Sequence, residues 1–181
     1  DITMLHIKVP ATSANMGPGF DCAGIALQLY NEIWVETIPS GIEISSKTNE
    51  NIPKDESNLI YSTIRDFYEA ENIPMPGIRL IQDDHIPMTR GLGSSAACIV
   101  GGLIAANILS GKNYSKEELA QKAAKLEGHP DNSNPAIFGD MIISAMYSEG
   151  MKYVKLNVPK NILFAVMIPE FTLSTKKARA V

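Results

Sequence analysis

The sequence predicts an α+β fold built on a largely antiparallel sheet. Apolar and polar residues alternate with a period of two over residues 25–36, which is typical of a half-buried strand, and further strand-like runs lie near the end of the chain. Helical periodicity lies between these regions, most clearly over residues 59–71. Near both ends of the chain, predicted strands follow one another with no helix between them, as in hairpins. This order favours antiparallel pairing over a parallel α/β sheet.

The composition narrows the classes of function. The chain has 181 residues, of which 45% are hydrophobic and 20% charged. This balance is typical of one globular domain, or of one domain and the start of another. A net charge of −4 disfavours a protein that wraps nucleic acid, although it permits a local site for a small anion.

Cysteine usage and the apolar runs bear on the compartment. Two cysteines cannot form a disulfide framework, so we expect a cytoplasmic protein in which Cys22 and Cys98 are small buried hydrophobes. The most apolar run, residues 96–106, is too short to span a bilayer, and no signal peptide is visible. We therefore expect neither a membrane nor a nucleic acid as partner.

Short strands are predicted at six further places. Proline cannot donate a hydrogen bond to a strand ladder, so Pro10 should end the first of them, and a polar loop should follow to about residue 24. The long strand carries Leu27, Leu29, Ile33 and Val35 on one face. The six short strands are predicted at residues 6–9, 41–45, 78–81, 141–146, 153–156 and 162–168.

Three helices are predicted from their capping signals. Ser57 or Asn58 can cap the first, whose apolar stripe contains Ile60, Ile64, Phe67 and Tyr68. The second should end near residue 109, with Gly111 as its C-cap. Residues 115–118 form a capping box that opens the third, which should end near residue 126 and lead into a loop.

A glycine-rich segment precedes the second helix. It reads Ile-Pro-Met-Thr-Arg-Gly-Leu-Gly-Ser-Ser-Ala-Ala over residues 86–97. Glycines let the backbone approach a ligand closely, and a helix N-terminus favours a nearby negative charge by about 0.3–1 kcal/mol. Arg90 adds positive charge, while Ser94 and Ser95 offer hydroxyls to phosphate or Mg²⁺. The segment lacks the signatures of a P-loop and of a dinucleotide fingerprint, so phosphate binding and a plain helix-capping turn remain alternatives.

Two other segments concentrate polar side chains. In the loop before the long strand, Asn15 and Asp21 could face a ligand, or they could only bond their own backbone. After the third helix, Glu127, His129, Asp131 and Asn132 indicate either a metal or substrate site or a turn fixed by proline. A serine hydrolase is disfavoured, because the serines lack the second glycine of a nucleophile elbow.

Taken together and in this order, the three segments resemble those of the GHMP kinase superfamily, and within it the homoserine kinase family. The phosphate-loop pattern Pro-x-x-x-Gly-Leu-Gly-Ser-Ser-Ala-Ala is matched by residues 87–97, and the run Glu-Gly-His-Pro-Asp-Asn stands at residues 127–132. The resemblance implies an N-terminal ATP-binding domain over residues 1–158, with the fold of ribosomal protein S5 domain 2. Residues 159–181 would begin a ferredoxin-like C-terminal domain, so we expect the chain to be a fragment of a longer protein.

The resemblance also implies a reaction and roles for individual residues. ATP, with Mg²⁺, would phosphorylate the side-chain hydroxyl of L-homoserine in threonine biosynthesis; a homodimer is left open. The ATP phosphates would be held by Pro87, Arg90, Gly91, Leu92, Gly93, Ser94, Ser95, Ala96 and Ala97. Ser95 and Glu127 would hold Mg²⁺. The substrate would contact Asn15, Asp21, His129, Asp131, Asn132 and Arg179, among which Asn15, Asp21 and Arg179 would be catalytic. Another small-molecule kinase of the superfamily, such as a mevalonate-type kinase, and an inactive nucleotide-binding fragment are the alternatives.

Three residues depart from the family pattern. Ser133 and Asn134 stand where small apolar residues are usual, and Asp140 stands where glycine is common. The two polar residues beside Asn132 would either alter the pocket or face water.

Overall fold

A computed structural model of the protein describes residues 4–168, and six strands in this range form one sheet. The long strand β2 (Ala23–Ile38) is its centre. Strand β1 (Leu5–Ala14) pairs with one edge of β2. The other edge of β2 pairs with β4 (Gly77–Asp83) at one end and with β5 (Met141–Tyr147) at the other.

Two more strands complete the sheet. Strand β6 (Gly150–Leu156) pairs antiparallel with β5, whereas β3 (Ile42–Ser46) pairs parallel with β4. Within residues 4–168 this is the one parallel pair, so the predicted α+β class with a largely antiparallel sheet is confirmed.

Four helices accompany the sheet: α1 (Leu59–Ala70), α2 (Ser94–Ser110), α3 (Lys116–Glu127) and α4 (Ser133–Phe138). The predicted caps of the three longer helices are confirmed: Asn58 caps α1, Gly111 ends α2, and Ser115 forms a capping box with Glu118. Over residues 4–168, none of these helices combines the length and apolarity that a membrane span requires.

Helix α2 forms the centre of the core. It is apolar on all sides, as expected for a helix that is surrounded by protein. Val100 and Leu103 are buried with Ile64 of α1 and Val35 of β2. The helices approach closely at Gly102, where an added Cβ would lie 2.8 Å from the Cβ of Thr63. This packing fixes the position of the α2 N-terminus relative to the sheet.

The prediction that Pro10 ends the first strand is wrong. Strand β1 continues to Ala14, and its pairing with β2 shifts register between Pro10 and Thr12. Proline is tolerated at bulges and in edge strands, where one side of the strand needs no hydrogen-bond partner. Strand β1 is such an edge strand, because among the described residues it pairs with β2 alone. The loop that follows is accordingly shorter than predicted, and most of the first polar segment belongs to a strand.

Two further predictions about local structure are wrong. Residues 133–135, which the sequence predicts to lie in the loop after the third helix, instead begin helix α4. Pro135 is compatible with this helix, because it stands in the first turn, where its missing N–H has no partner within the helix anyway. Residues 162–168 form no strand; Leu163 and Met167 are more than 90% exposed. An apolar run forms a stable strand only where it pairs with a neighbouring strand and buries one face. Among the described residues this segment does neither.

The carboxylate of Glu71 joins the end of α1 to α3 and to the loop before α3. It accepts hydrogen bonds from Lys122 Nζ at 3.0 Å and from the Tyr114 hydroxyl at 2.8 Å, and Lys112 Nζ lies 3.0 Å away. Lys122, Tyr114 and Lys112 together lower the pKa of Glu71 from 4.5 to about 2.

This lowered pKa predicts a specific pH dependence of stability. The ionised form stabilises the fold above pH 4.5, and the stabilisation is lost as the pH falls through the folded-state pKa of about 2. We expect Glu71→Gln to flatten the decline of the unfolding free energy between these pH values, as measured by urea denaturation. Glu69→Gln, on the exposed side of the same helix, is the matched control. Identical slopes for wild type and Glu71→Gln would contradict the assignment.

Candidate active site

A cavity of about 580 Å³ lies at the N-terminus of α2. Its volume is within the range of small-molecule sites, roughly 300–1,000 Å³. Three separate parts of the sequence line it: the end of β1, the glycine-rich segment before α2, and the segment between α3 and α4. The fold therefore brings together the three polar segments that the sequence indicates.

The glycine-rich segment forms the cavity wall at the start of α2. Gly91 and Gly93 have φ values of +72° and +69°, in the left-handed region that favours glycine. Gly93 is the N-cap of α2 and makes no side-chain cap. The first N–H groups of the helix are thus not capped by the N-cap residue. The positive end of the helix dipole lies at the cavity, where Ser94 and Ser95 are among the lining residues.

Glu127 is the last residue of α3, and it lines the cavity beside Ser95. Its Oε2 atom is buried and has no hydrogen-bond partner among the described residues. Burial raises the pKa of Glu127 to about 7; His129 opposes this rise, the carboxylate of Asp131 adds to it, and a hydrogen bond with Ser95 also opposes it. A buried carboxylate with a free oxygen beside a serine hydroxyl is a favourable place for a cation.

The turn after α3 holds a histidine against a buried aspartate. Gly128 reverses the chain with a φ of +82°, and His129 Nδ1 then contacts Asp131 Oδ1. Asp131 is 1% exposed, so this contact fixes the orientation of the imidazole ring. The backbone of Asp131 lies directly on β2, where a Cβ added at Gly24 would be 1.8 Å from its carbonyl oxygen. Only glycine fits at that position of β2.

The loop after β1 contributes Asn15 to the cavity lining. Asn15 has a φ of +60°, and its Oδ1 atom accepts a 2.8 Å hydrogen bond from the backbone N–H of Asp21. The side-chain oxygen of Asn15 thus bonds the backbone of its own loop, while the residue also lines the cavity. Asp21 does not line the cavity.

The serine hydrolase alternative gains no support. A nucleophile elbow passes directly from a strand into a helix, whereas ten residues separate the end of β4 at Asp83 from Ser94. Cys98 is not a nucleophile candidate either, because burial raises the pKa of its thiol to about 12.

Comparison with known proteins shows which proteins the chain resembles. Residues 58–140 match the sequence model described as the GHMP kinases N terminal domain. Along 97% of its length the chain is 49% identical to the homoserine kinase of Caldicellulosiruptor saccharolyticus, and along 98% it is 46% identical to that of Petrotoga mobilis. The chain is therefore similar to homoserine kinases along almost its whole length and to the GHMP kinase N-terminal domain over residues 58–140. It spans 58% of each of these two relatives, so they are considerably longer than the chain.

Solved structures show the same similarity. The crystal structure of homoserine kinase from Cytophaga hutchinsonii superposes with a TM-score of 0.76 at 30% identity, covering 97% of this chain and 59% of that one. The mevalonate kinase of Methanococcus jannaschii superposes with a TM-score of 0.67 at 16% identity, covering 87% of this chain and 57% of that one. At that identity the second likeness shows a shared fold alone.

Most of the residues that the GHMP kinase resemblance implied lie around the cavity. The predicted residues that line it are Asn15, Gly91, Leu92, Gly93, Ser94, Ser95, Ala96, Glu127, His129, Asp131 and Asn132. Pro87, Arg90 and Ala97 belong to the same loop and helix but, like Asp21, do not line it. Arg179 lies outside the described residues. Ala14, Thr89, Ile99 and Leu126 also line the cavity and carry no signal that sequence reasoning had used.

Two of the three residues that depart from the GHMP kinase pattern, Asn134 and Asp140, have polar partners in the structure. Ser133 and Asn134 are fully buried and lie outside the cavity, so they neither alter the pocket lining nor face water. Asn134 Nδ2 donates a 2.6 Å hydrogen bond to Ser144 Oγ. Asp140 has a φ of +57°, which explains why glycine suits the position, and it pairs with Lys155 at 3.0 Å.

Proposed function

We propose that this chain is the ATP-binding part of a homoserine kinase, which transfers the γ-phosphoryl group of ATP to the side-chain hydroxyl of L-homoserine. Relatives with that name match along almost the whole chain. Because the chain spans 58% of the first of them, the activity is proposed for the complete protein. Residues 1–158 are proposed as the N-terminal domain and residues 159–181 as the start of a second one. The cytoplasm is the proposed compartment, since ATP is the phosphoryl donor.

The observation that carries the proposal is the single cavity shared by the α2 N-terminus, Glu127 and the His129–Asn132 turn. Phosphoryl transfer requires little covalent chemistry from the protein; positioning and neutralisation of charge supply most of the catalysis. The N–H groups of α2 and the hydroxyls of Ser94 and Ser95 would bind phosphate oxygens, as helix N-termini commonly do. Gly91 and Gly93 would let the phosphates approach the backbone.

Ser95 and Glu127 would hold Mg²⁺. The two side chains fit a hard cation, because the Oε2 atom of Glu127 is buried without a hydrogen-bond partner among the described residues and the Ser95 hydroxyl lies beside the carboxylate. When bound, the metal neutralises negative charge that develops on the phosphate oxygens. Glu127 would position the metal ion relative to the N-terminus of α2.

The remaining polar residues would bind the acceptor. His129, held by Asp131, and the side-chain amide of Asn132 face the cavity beside Asn15. Arg179 would bind the substrate carboxylate through its planar guanidinium group, and Asp21 keeps its proposed role near the substrate. No general base is assigned. Asp131 is engaged with His129 and is almost completely buried, so its structural role suffices to explain its position.

The test is ADP release by the full-length protein supplied with Mg-ATP and one acceptor at a time. We expect ADP formation with L-homoserine, and background release with mevalonate or without an acceptor. ADP formation with mevalonate but not with homoserine would instead favour the mevalonate-type alternative. Nucleotide binding without turnover on either acceptor would contradict the proposal and favour a binding protein.

A further inference from the structure

Thr12 is a buried residue of β1 that touches two walls of the cavity without lining it. Its side chain is fully buried. Its backbone N–H donates a 3.1 Å hydrogen bond to the carbonyl oxygen of Leu92 in the phosphate loop. Its hydroxyl donates a 2.8 Å hydrogen bond to Asn132 Oδ1, a residue 120 positions further along the chain.

The side chain of Asn132 binds Thr12 instead of capping helix α4. Asn132 is the N-cap of α4, and asparagine in that position normally accepts a hydrogen bond from the first turn of its helix. Here it makes no such cap, because its Oδ1 atom accepts the Thr12 hydroxyl instead. With its oxygen held against β1, the amide has its NH₂ group left to present to the cavity that Asn132 lines.

We propose that Thr12 is a positioning residue that selects the orientation of the Asn132 amide, so that Asn132 offers hydrogen-bond donors to an oxygen of the acceptor substrate. This inference rests on the proposed function. An amide without the Thr12 bond could rotate by half a turn and present its carbonyl oxygen, an acceptor, at the same place. The hydroxyl of Thr12 thereby keeps the NH₂ group of Asn132, a hydrogen-bond donor, at the place where L-homoserine would bind.

The two contacts of Thr12 can be separated by mutation. The bond to Leu92 comes from the backbone, so it persists in Thr12→Val and in Thr12→Ser. Thr12→Val keeps the shape of the side chain and removes the hydroxyl, whereas Thr12→Ser keeps the hydroxyl. Thr63→Val is the matched control, because Thr63 is buried in α1 and donates to the Leu59 carbonyl at 2.7 Å, away from the cavity lining.

Steady-state kinetics of the full-length protein give the first test. We expect Thr12→Val to lower kcat/KM for L-homoserine by about tenfold or more, the effect of one lost hydrogen bond, with the KM for ATP changed by less than about twofold. Thr12→Ser should retain most of the activity, and Thr63→Val should behave as wild type. In an Asn132→Ala background, Thr12→Val should have little further effect. A rise in the KM for ATP alone, or additive losses in the double variant, would overturn the proposal.

A second measurement does not depend on turnover. The side-chain amide signals of Asn132 can be identified in the ¹⁵N NMR spectrum of the substrate-free protein by their loss in Asn132→Asp. We expect these signals to shift or broaden in Thr12→Val and to remain in place in Thr12→Ser. Unchanged signals in Thr12→Val would overturn the positioning role. If wild type formed no ADP with homoserine, the proposed function would fail, while this spectrum would still decide whether Thr12 orients Asn132.

Discussion

Glu127→Gln should make the Mg²⁺-free protein more stable at alkaline pH. The pKa of Glu127 is about 7 in the folded state, against 4.5 for an ordinary glutamate. Below pH 4.5 the carboxyl is protonated in both the folded and the unfolded state, so it does not change the free energy of unfolding. Between pH 4.5 and 7 the carboxyl is ionised in the unfolded chain but still protonated in the folded state. The unfolding free energy therefore falls over this range by up to about 3 kcal/mol and stays at the lower level above pH 7. Glutamine is neutral at every pH and avoids this cost.

Urea denaturation in EDTA at pH 5 and pH 8 measures this effect. Wild type should lose stability between the two values because of Glu127, and Glu127→Gln should lose correspondingly less. Glu50→Gln, an exposed residue in the loop before α1, is the control for removing one carboxylate. Equal pH dependence in wild type and Glu127→Gln would show that the carboxyl is not buried as the fold places it.

The same substitution should strongly impair use of Mg-ATP. Removing a charged metal ligand costs several kcal/mol of transition-state stabilisation, so we expect ADP release to fall by about a hundredfold or more. Homoserine binding, measured by calorimetry, should change little, because Glu127 stands at the phosphate side of the cavity beside Ser95. A variant that gains stability and loses nucleotide use would show that the buried charge serves the cation. Equal loss of homoserine affinity would contradict the metal role.

Local signals in the sequence predicted much of the fold. The caps at Asn58 and Ser115, the apolar stripe of α1 and the glycines before α2 depend on neighbours within a few residues, and the structure has them as predicted. The glycine-rich segment before α2 is of this kind as well, because the turn and the start of the helix are encoded by adjacent residues. For this reason the candidate site could be located before any contact was known.

Contacts between distant segments could not be predicted in this way. The hydrogen bond from Thr12 to Asn132 and the contact of Gly24 with Asp131 join β1 and β2 to a turn more than a hundred residues away. Neither pair leaves a periodic pattern, since each depends on how the sheet and α4 pack. The parallel pairing of β3 with β4 is hidden for the same reason: alternation indicates a strand but not the direction of its neighbour.

Gly93→Ala should destabilise the protein far more than Gly91→Ala, although both glycines have nearly the same backbone conformation. Their φ values are +69° and +72°, and forcing alanine into this region costs about 1–2 kcal/mol at either position. A Cβ at Gly91 would meet nothing within 4 Å, whereas a Cβ at Gly93 would lie 2.0 Å from Thr12 Oγ1. Overpacking of this kind adds about 1–3 kcal/mol, so Gly93→Ala should cost roughly 2–5 kcal/mol in total.

Urea denaturation and the affinity for a fluorescent ATP analogue test this pair. Gly93 is the N-cap of α2, so a displaced Gly93 also displaces the N–H groups proposed to bind phosphate, and we expect Gly93→Ala to lose most of its nucleotide affinity. Gly91→Ala should retain it within a few-fold. Replacing Thr12 with alanine in the Gly93→Ala protein removes the clashing oxygen and should restore part of the stability. If both single variants were destabilised equally, or if the second substitution gave no recovery, the close contact between β1 and the phosphate loop would not be the cause.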